Sequence, residues 1–241
     1  MNRTDGRAGD QMRAVVLKPG FMPYAEGSCL VEMGNTKVIC TATVETSVPR
    51  WMKGRGTGWL TAEYSMMPRS SPERVTREVS KGRVSGRTQE IQRLIGRSLR
   101  AVTDLTVLGE RSIMIDCDVL QADGGTRTAS ITGGYVALAY AINALLASGE
   151  LSKDPLHTSV AAVSVGIIND VALMDLKYDE DSTAEVDMNV VMTGTEKFVE
   201  VQGTAERGVF ERERLDALVD LAAAGIKDLT TLQQEAIGDR P

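Results

Sequence analysis

The first third of the chain alternates apolar and polar residues in short runs, and this pattern predicts β-structure joined by tight turns. In "GSCLVEMGNTKVICTATVE" two runs, Ser28 to Met33 and Lys37 to Val44, flank Gly34-Asn35, a dipeptide that tolerates the positive φ angles of a hairpin. "TGWLTAEYSMM" predicts one more strand. The period then vanishes. About residues 68–86, "PRSSPERVTREVSKGRVSG", mix Ser, Pro, Gly and Arg and predict an exposed, mobile loop. From about Thr88 the spacing turns helical, because Ile91, Leu94, Ile95, Leu99 and Val102 recur three and four residues apart and form one apolar face. Glu90, Arg93, Arg97 and Arg100 fall on the other side, as a solvated face or as a surface for an anionic partner.

"RSIMIDCDVLQAD" reads as a strand running into "GGTRTASITGGYVALAYAINALL", a stretch of helical character. No charge occurs from Thr128 to Gly149, a length that could mimic a membrane span. Thr128, Ser130, Thr132, Gly133, Gly134, Asn143 and Ser148 argue instead for a buried central helix. Beyond "DP", "SVAAVSVGIINDVALMDL" predicts a hairpin turning at Asn169-Asp170, and "STAEVDMNVVMTGTEKFVEVQGTAE" predicts two strands around Thr193-Gly194. Leu215, Leu218, Val219, Ala222, Ile226 and Leu229 mark an amphipathic closing helix after Glu211. Each half thus runs hairpin, further strands, helix, an order that suits a duplication although no residue repeat aligns. An α+β fold of mixed sheet with packed helices is expected, as a single domain over 1–241 with no linker.

Composition narrows the function classes. With 42% apolar and 25% charged residues the chain is an ordinary globular protein that needs no covalent staples. Cys29, Cys40 and Cys117 are widely spaced without a CxxC pair, so they read as buried thiols rather than disulfides or zinc ligands. The polar N-terminus, "MNRTDGRAGDQMR", is unlike a signal peptide, and a cytoplasmic location is expected. Any histidine triad or two-histidine metal site would have to rest on His157, which sits beside Pro155 in a loop-like context and reads as a surface residue. Charge is uneven: residues 50–100 hold 12 Lys and Arg against 4 Asp and Glu, within a chain of net charge −6. A concentrated basic segment in an acidic protein suits a polyanionic ligand held at one place.

Two stretches carry candidate chemistry. In "ADGGTRT" the glycines let backbone approach a ligand, the helix that follows presents unpaired N–H groups, and Thr126 and Arg127 add a hydroxyl and a planar cation. This is a cradle for a small oxyanion or ordinary turn chemistry before a helix; there is no GxxxxGK[ST] run for a triphosphate. In "YDEDSTAEVDMN" an extended strand would set Asp181, Glu185 and Asp187 on one face, as oxygen ligands for a divalent ion, as a general acid, or as a solubilising acidic turn.

Together, "RTDGR", "GNTKVICTATVE", "GWLTAEYSMMPRSSPER", "SGRTQEIQRLIGRSLRA", "DCDVLQADGGTRTASITGGYVAL", "AEVDMNVVMTG" and "FVEVQGTAE" resemble the bacterial ribonuclease PH family of phosphorolytic tRNA nucleotidyltransferases over nearly the whole chain. The resemblance implies a duplicated βαβα-type fold and a homo-hexamer built as a trimer of dimers. It implies an activity that trims the 3′ ends of tRNA precursors and other RNA with inorganic phosphate as co-substrate, and a magnesium ion. DNA and membranes are not expected partners. On the matching positions, Arg87, Gly125, Thr126 and Arg127 would bind phosphate. Asp181 and Asp187 would be the catalytic carboxylates, as metal ligands or with Asp187 as the acid for the leaving 3′ oxygen. Arg69, Arg74 and Arg77 would grip tRNA; apart from the resemblance, the helix face of Arg93, Arg97 and Arg100 beside that basic loop is expected to extend the RNA surface. Arg207 departs from the family, where a glycine is expected. A non-catalytic RNA-binding ring subunit and a two-metal hydrolase are the competing possibilities.

Overall fold

A computed structural model describes residues 3–238; Met1, Asn2 and residues 239–241, which the single-domain expectation includes, lie outside it. The first half forms five strands, β1 (Val15–Pro19), β2 (Gly27–Met33), β3 (Thr36–Glu45), β4 (Trp59–Met66) and β5 (Ser112–Gln121), in the order β1-β2-β3-β5-β4. The β2–β3 turn falls at Gly34-Asn35 as the sequence predicts, with Gly34 at φ 55°. Strand β4 runs parallel to β5, so the chain must cross over between them, and α1 (Gly86–Arg100) makes that crossing. Ser85 caps α1 through a 3.2 Å bond from the Thr88 amide, which starts the helix at Gly86, five residues before Ile91 opens its apolar repeat. A one-turn helix, α2 (Leu105–Leu108), follows.

The second half builds an antiparallel sheet of order β7-β6-β8-β9, from β6 (Val160–Ile168), β7 (Val171–Met174), β8 (Val186–Thr193) and β9 (Phe198–Ala205). Only the first sheet is therefore mixed. The β6–β7 turn uses Asn169 and Asp170 at φ 48° and 62°, the conformation asparagine and aspartate tolerate. One-turn helix α4 (Tyr178–Asp181) joins β7 to β8, and α5 (Arg212–Ile237) closes the chain.

The uncharged stretch is α3 (Thr126–Ala147), which packs on β2, β3 and β5 of one sheet and β6 of the other, against α1 and α5. It carries no charge after Arg127 because it is buried around most of its circumference, from Thr128 to Ala139 without a break, as expected for a core helix. Gly27 lets β2 approach α3, since a Cβ there would stand 2.0 Å from the Ala137 carbonyl. One apolar core runs from Val31 and Ile115 through Leu138 to Val163 and Leu229, so both halves share it. Cys29, Cys40 and Cys117 are free and buried, as the composition suggested, and His157 is exposed.

Candidate active site

The ends of β4, β5 and α3 from one half meet β8 and α4 from the other around a cleft of about 1070 Å³. Arg87, Gly124, Gly125, Thr126, Arg127, Asp181, Asp187 and Asn189 all line it, with Arg69 and Arg74 at the margin. Residues that the sequence separates by more than a hundred positions thus share one opening.

The cradle is built at the entry to α3. Gly125 caps the helix at φ 65°, ψ 26°, with no side chain occupying the first-turn amides. The left-handed turn is thus glycine's, and Thr126 is the first helical residue. Gly124 has a different role from the ligand approach its sequence suggests: a Cβ there would lie 2.4 Å from the Leu176 carbonyl. Its missing side chain lets the loop seat on the second half. Thr126 is buried, and its Oγ1 shares a 2.8 Å hydrogen bond with Tyr64 Oη. Burial, outweighing Thr126, Arg87 and Arg127, raises the Tyr64 phenol above its ordinary value, so it stays protonated and able to donate. Arg127 reaches over the opening, where Nη1 donates to Gln202 Oε1 at 2.8 Å and faces Glu90 Oε2 at 3.6 Å. Arg87 is exposed on the first turn of α1.

The carboxylates converge by a route the sequence pattern did not show. Asp181, Glu185 and Asp187 do not share one strand: Asp181 ends the α4 turn, β8 begins at Val186, and Glu185 turns away to accept the Asn169 amide at 3.0 Å. Glu180 Oε2 accepts the Lys177 amide at 3.1 Å, and that local bond winds the turn in place of an extended chain. Strand alternation still aims Asp187 inward, on the same face as Asn189, Ser164 and Gln202 across the sheet. Burial first, then the Asp181 charge, push the Asp187 carboxyl up to about 6, with Glu206 adding and Arg127 and Arg87 opposing. Asp181 is open on its outer side, yet desolvation raises it too, against Arg87 and Arg127 and with Glu206.

The predicted RNA-contact arginines divide. Arg69, Arg74 and Arg77 lie exposed on the basic loop, whose root is fixed by the Ala122 amide donating to the Ser70 carbonyl at 2.7 Å. Arg77 does not line the cleft but lowers Asp118 on β5, whose carboxyl burial raises overall. Arg93 is exposed; Arg97 pairs with Glu200; Arg100 covers the Trp59 ring at 4.9 Å and donates to the Leu60 carbonyl at 2.8 Å. None of these three lines the cleft. Tyr64, Gln202 and Glu206 were not singled out by the sequence, although Gln202 and Glu206 both lie in "FVEVQGTAE", and Glu90 appeared there only as part of a polar helix face.

A left-handed glycine cap, two arginines and two mutually repelling carboxylates share one cleft, a set of groups suited to holding a small oxyanion beside a carboxylate pair. The family models agree: those of the 3′ exoribonuclease family match residues 11–142 as domain 1 and 158–239 as domain 2, so the chain belongs to that family, the ribonuclease PH family. It is 56% identical over 239 residues, 99% of this chain and 96% of the other, to Ribonuclease PH of Moorella thermoacetica. Two solved structures share the duplicated βαβα fold. They are rice (Oryza sativa) Rrp46, with TM-score 0.79, 18% identity and coverage of 98% and 100%, and the Archaeoglobus fulgidus exosome with RNA bound to the active site, with TM-score 0.78, 22% identity and coverage of 95% and 91%.

Proposed function

We propose that this chain is a phosphate-dependent 3′-to-5′ exoribonuclease that trims tRNA precursors and other RNA with free 3′ ends. The observation that carries this is the cleft itself, where an anion cradle faces two carboxylates of raised pKa. Inorganic phosphate sits on the first-turn amides of α3, with Arg87 and Arg127 neutralising it and the Thr126 hydroxyl fixing its orientation. One phosphate oxygen attacks the phosphorus of the last phosphodiester. The bond from phosphorus to the penultimate 3′ oxygen breaks, and that oxygen takes a proton while a nucleoside diphosphate leaves. Asp187, with a carboxyl near 6, is placed to give that proton, or with Asp181 to ligate a divalent ion.

Among the described residues no group of three or more His, Cys, Asp or Glu forms a ready metal cluster. Two carboxylates that repel each other still fit a hard cation such as Mg²⁺, which takes few protein oxygens and completes its shell with water and phosphate. Bound there, it would neutralise charge on the departing oxygen. We further propose assembly as a homo-hexamer, a trimer of dimers, in the cytoplasm. The direct test of the chemistry in reverse is to supply RNA and a nucleoside diphosphate without phosphate. The RNA should lengthen with release of inorganic phosphate; a protein that shortens RNA but cannot extend it contradicts the proposal.

Two further outcomes follow from the site. Tyr64→Phe removes the hydroxyl that shares a hydrogen bond with Thr126 while leaving the ring in the core. The KM for phosphate should rise about 3- to 10-fold, the size of one modest hydrogen bond, with the KM for RNA unchanged. Equal changes in both constants would contradict the role given to the hydroxyl. Replacing Arg69, Arg74 and Arg77 with alanine should weaken RNA binding and reduce the slope of log affinity against log salt by about 2, at roughly 0.7 per lost single-strand contact. Unchanged affinity across a salt series would exclude the basic loop as an RNA grip. Arg93, Arg97 and Arg100 form an outer track for RNA, of smaller effect because Arg97 and Arg100 are already engaged.

A further inference from the structure

The N-terminal segment carries Arg3, Arg7 and Arg13, and all three converge on Asp175 and Glu180 in the second half. Arg3, 4% exposed, holds the Glu180 carboxylate with Nε at 2.8 Å and Nη2 at 2.6 Å, and donates to the Met174 and Asp175 carbonyls at 2.8 and 3.0 Å. Arg13, 7% exposed, grips Asp175 with Nε at 2.8 Å and Nη2 at 2.6 Å, and its own amide donates to Asp175 Oδ2 at 2.9 Å. The same guanidinium donates to the Asp123 and Gly124 carbonyls. Burial would lower Arg13, but the bond and charge of Asp175, helped by Asp123 and Glu180, raise it above its ordinary value. Asp175 is fully buried and left-handed at φ 53°, a conformation that aspartate and asparagine adopt more readily than other side-chain-bearing residues.

These contacts end where the chemistry begins. Asp123 and Gly124 immediately precede the Gly125 cap, and Glu180 immediately precedes Asp181. Buried ion pairs are poor sources of stability, because desolvation offsets their attraction and apolar replacements often serve as well. The core beside it is apolar, yet here the contact is charged, bidentate and tied to the backbone on both sides of the cleft.

Resting on the phosphorolytic proposal, we infer that this clasp consists of positioning residues. Arg13 with Asp175 sets the phosphate cradle, Arg3 with Glu180 sets the turn that carries Asp181, and the segment fixes the spacing between nucleophile and leaving-group carboxylates. The test uses full-length Arg13→Lys and Glu180→Gln, with kcat and both KM values measured separately. Arg13→Lys keeps the charge and loses the fork, so the KM for phosphate should rise at least 10-fold with kcat at saturating phosphate within 3-fold. Glu180→Gln should lower kcat at least 10-fold with the KM for phosphate within 2-fold. A stability role alone would move Tm without that split. Values for both variants within 2-fold of the parent, or parallel losses in all constants, overturn the inference. Phosphate dependence in the parent protein tests the underlying activity independently. Asp175→Asn, which tolerates the left-handed backbone, stands in for Arg13→Lys should that variant not fold. Hydrogen exchange on the parent protein needs no variant: phosphate should slow exchange in residues 3–13 and 174–181 as well as 123–127, and protection confined to 123–127 overturns the inference.

Discussion

Replacing Arg127 with alanine should cut phosphate-dependent activity about 100- to 1000-fold while leaving the fold intact, the loss expected when one preorganised donor to a developing oxyanion is removed. The physical basis is its position. Arg127 sits on the first turn of α3, beside the amides that Gly125 leaves open, and Gln202 and Glu90 hold its guanidinium over the cleft. Its side chain is only 16% exposed, so its charge acts in a partly desolvated space where it counts for more than at the surface. The core beneath does not depend on it, because α3 is anchored by residues from Ala129 onward. Steady-state kinetics at varied phosphate, with Tm as a control for folding, checks this. An Arg127→Ala protein of normal activity would remove the cradle from the mechanism.

Asp187→Asn should be nearly inactive and yet more stable than the parent at neutral pH. The sign follows from linkage. With the folded carboxyl near 6 and the unfolded one near 3.8, the folded state holds its proton more tightly, and the stability this supplies is present below about pH 4 and lost as pH rises through 6. At pH 7 the parent carries a desolvated carboxylate facing Asp181, and the amide does not. The gain should be about 1–2 kcal/mol after solvent screening, or a Tm rise of about 3–6 °C for a chain of this size. Thermal melts in chelator from pH 4 to 7.5 should show the difference between the two proteins growing with pH. A constant difference would contradict the raised pKa. Adding Mg²⁺ at pH 7 should then raise the Tm of the parent but not of the variant if Asp187 is a metal ligand. A role as acid alone predicts no such shift. Activity and stability are opposed at this residue, as at many functional sites.

Most strands and the three long helices were legible because each repeats its apolar residues at one period with a turn residue at each end. Strand β1 was missed: it is a five-residue edge strand ending in Pro19 and paired only with β2, and although its burial alternates, Val15, Val16 and Leu17 are all apolar and hide the period. The one-turn helices α2 and α4 were missed for a related reason, since four residues cannot display a helical period. That omission misplaced Asp181 on a strand. Within the site, the motifs named the groups that touch a ligand but not the groups that hold them. Tyr64 and Thr126 are 62 positions apart, Arg127 and Gln202 75, and Arg13 and Asp175 162. The first pair joins a strand to a helix within the first half and the other two join the halves, so none leaves a local signature. Arg207, where the resemblance implied a glycine, sits in an exposed turn after β9, clear of the cleft lining.

The central claim is that phosphate is a reactant. Incubating RNA bearing a free 3′ hydroxyl with ¹⁸O-labelled inorganic phosphate, and separately with unlabelled phosphate in ¹⁸O water, traces the nucleophile directly. Phosphorolysis predicts nucleoside diphosphates whose terminal phosphoryl group carries the phosphate label, with no product when phosphate is left out. Nucleoside monophosphates carrying oxygen from water, formed equally well without phosphate, would contradict it.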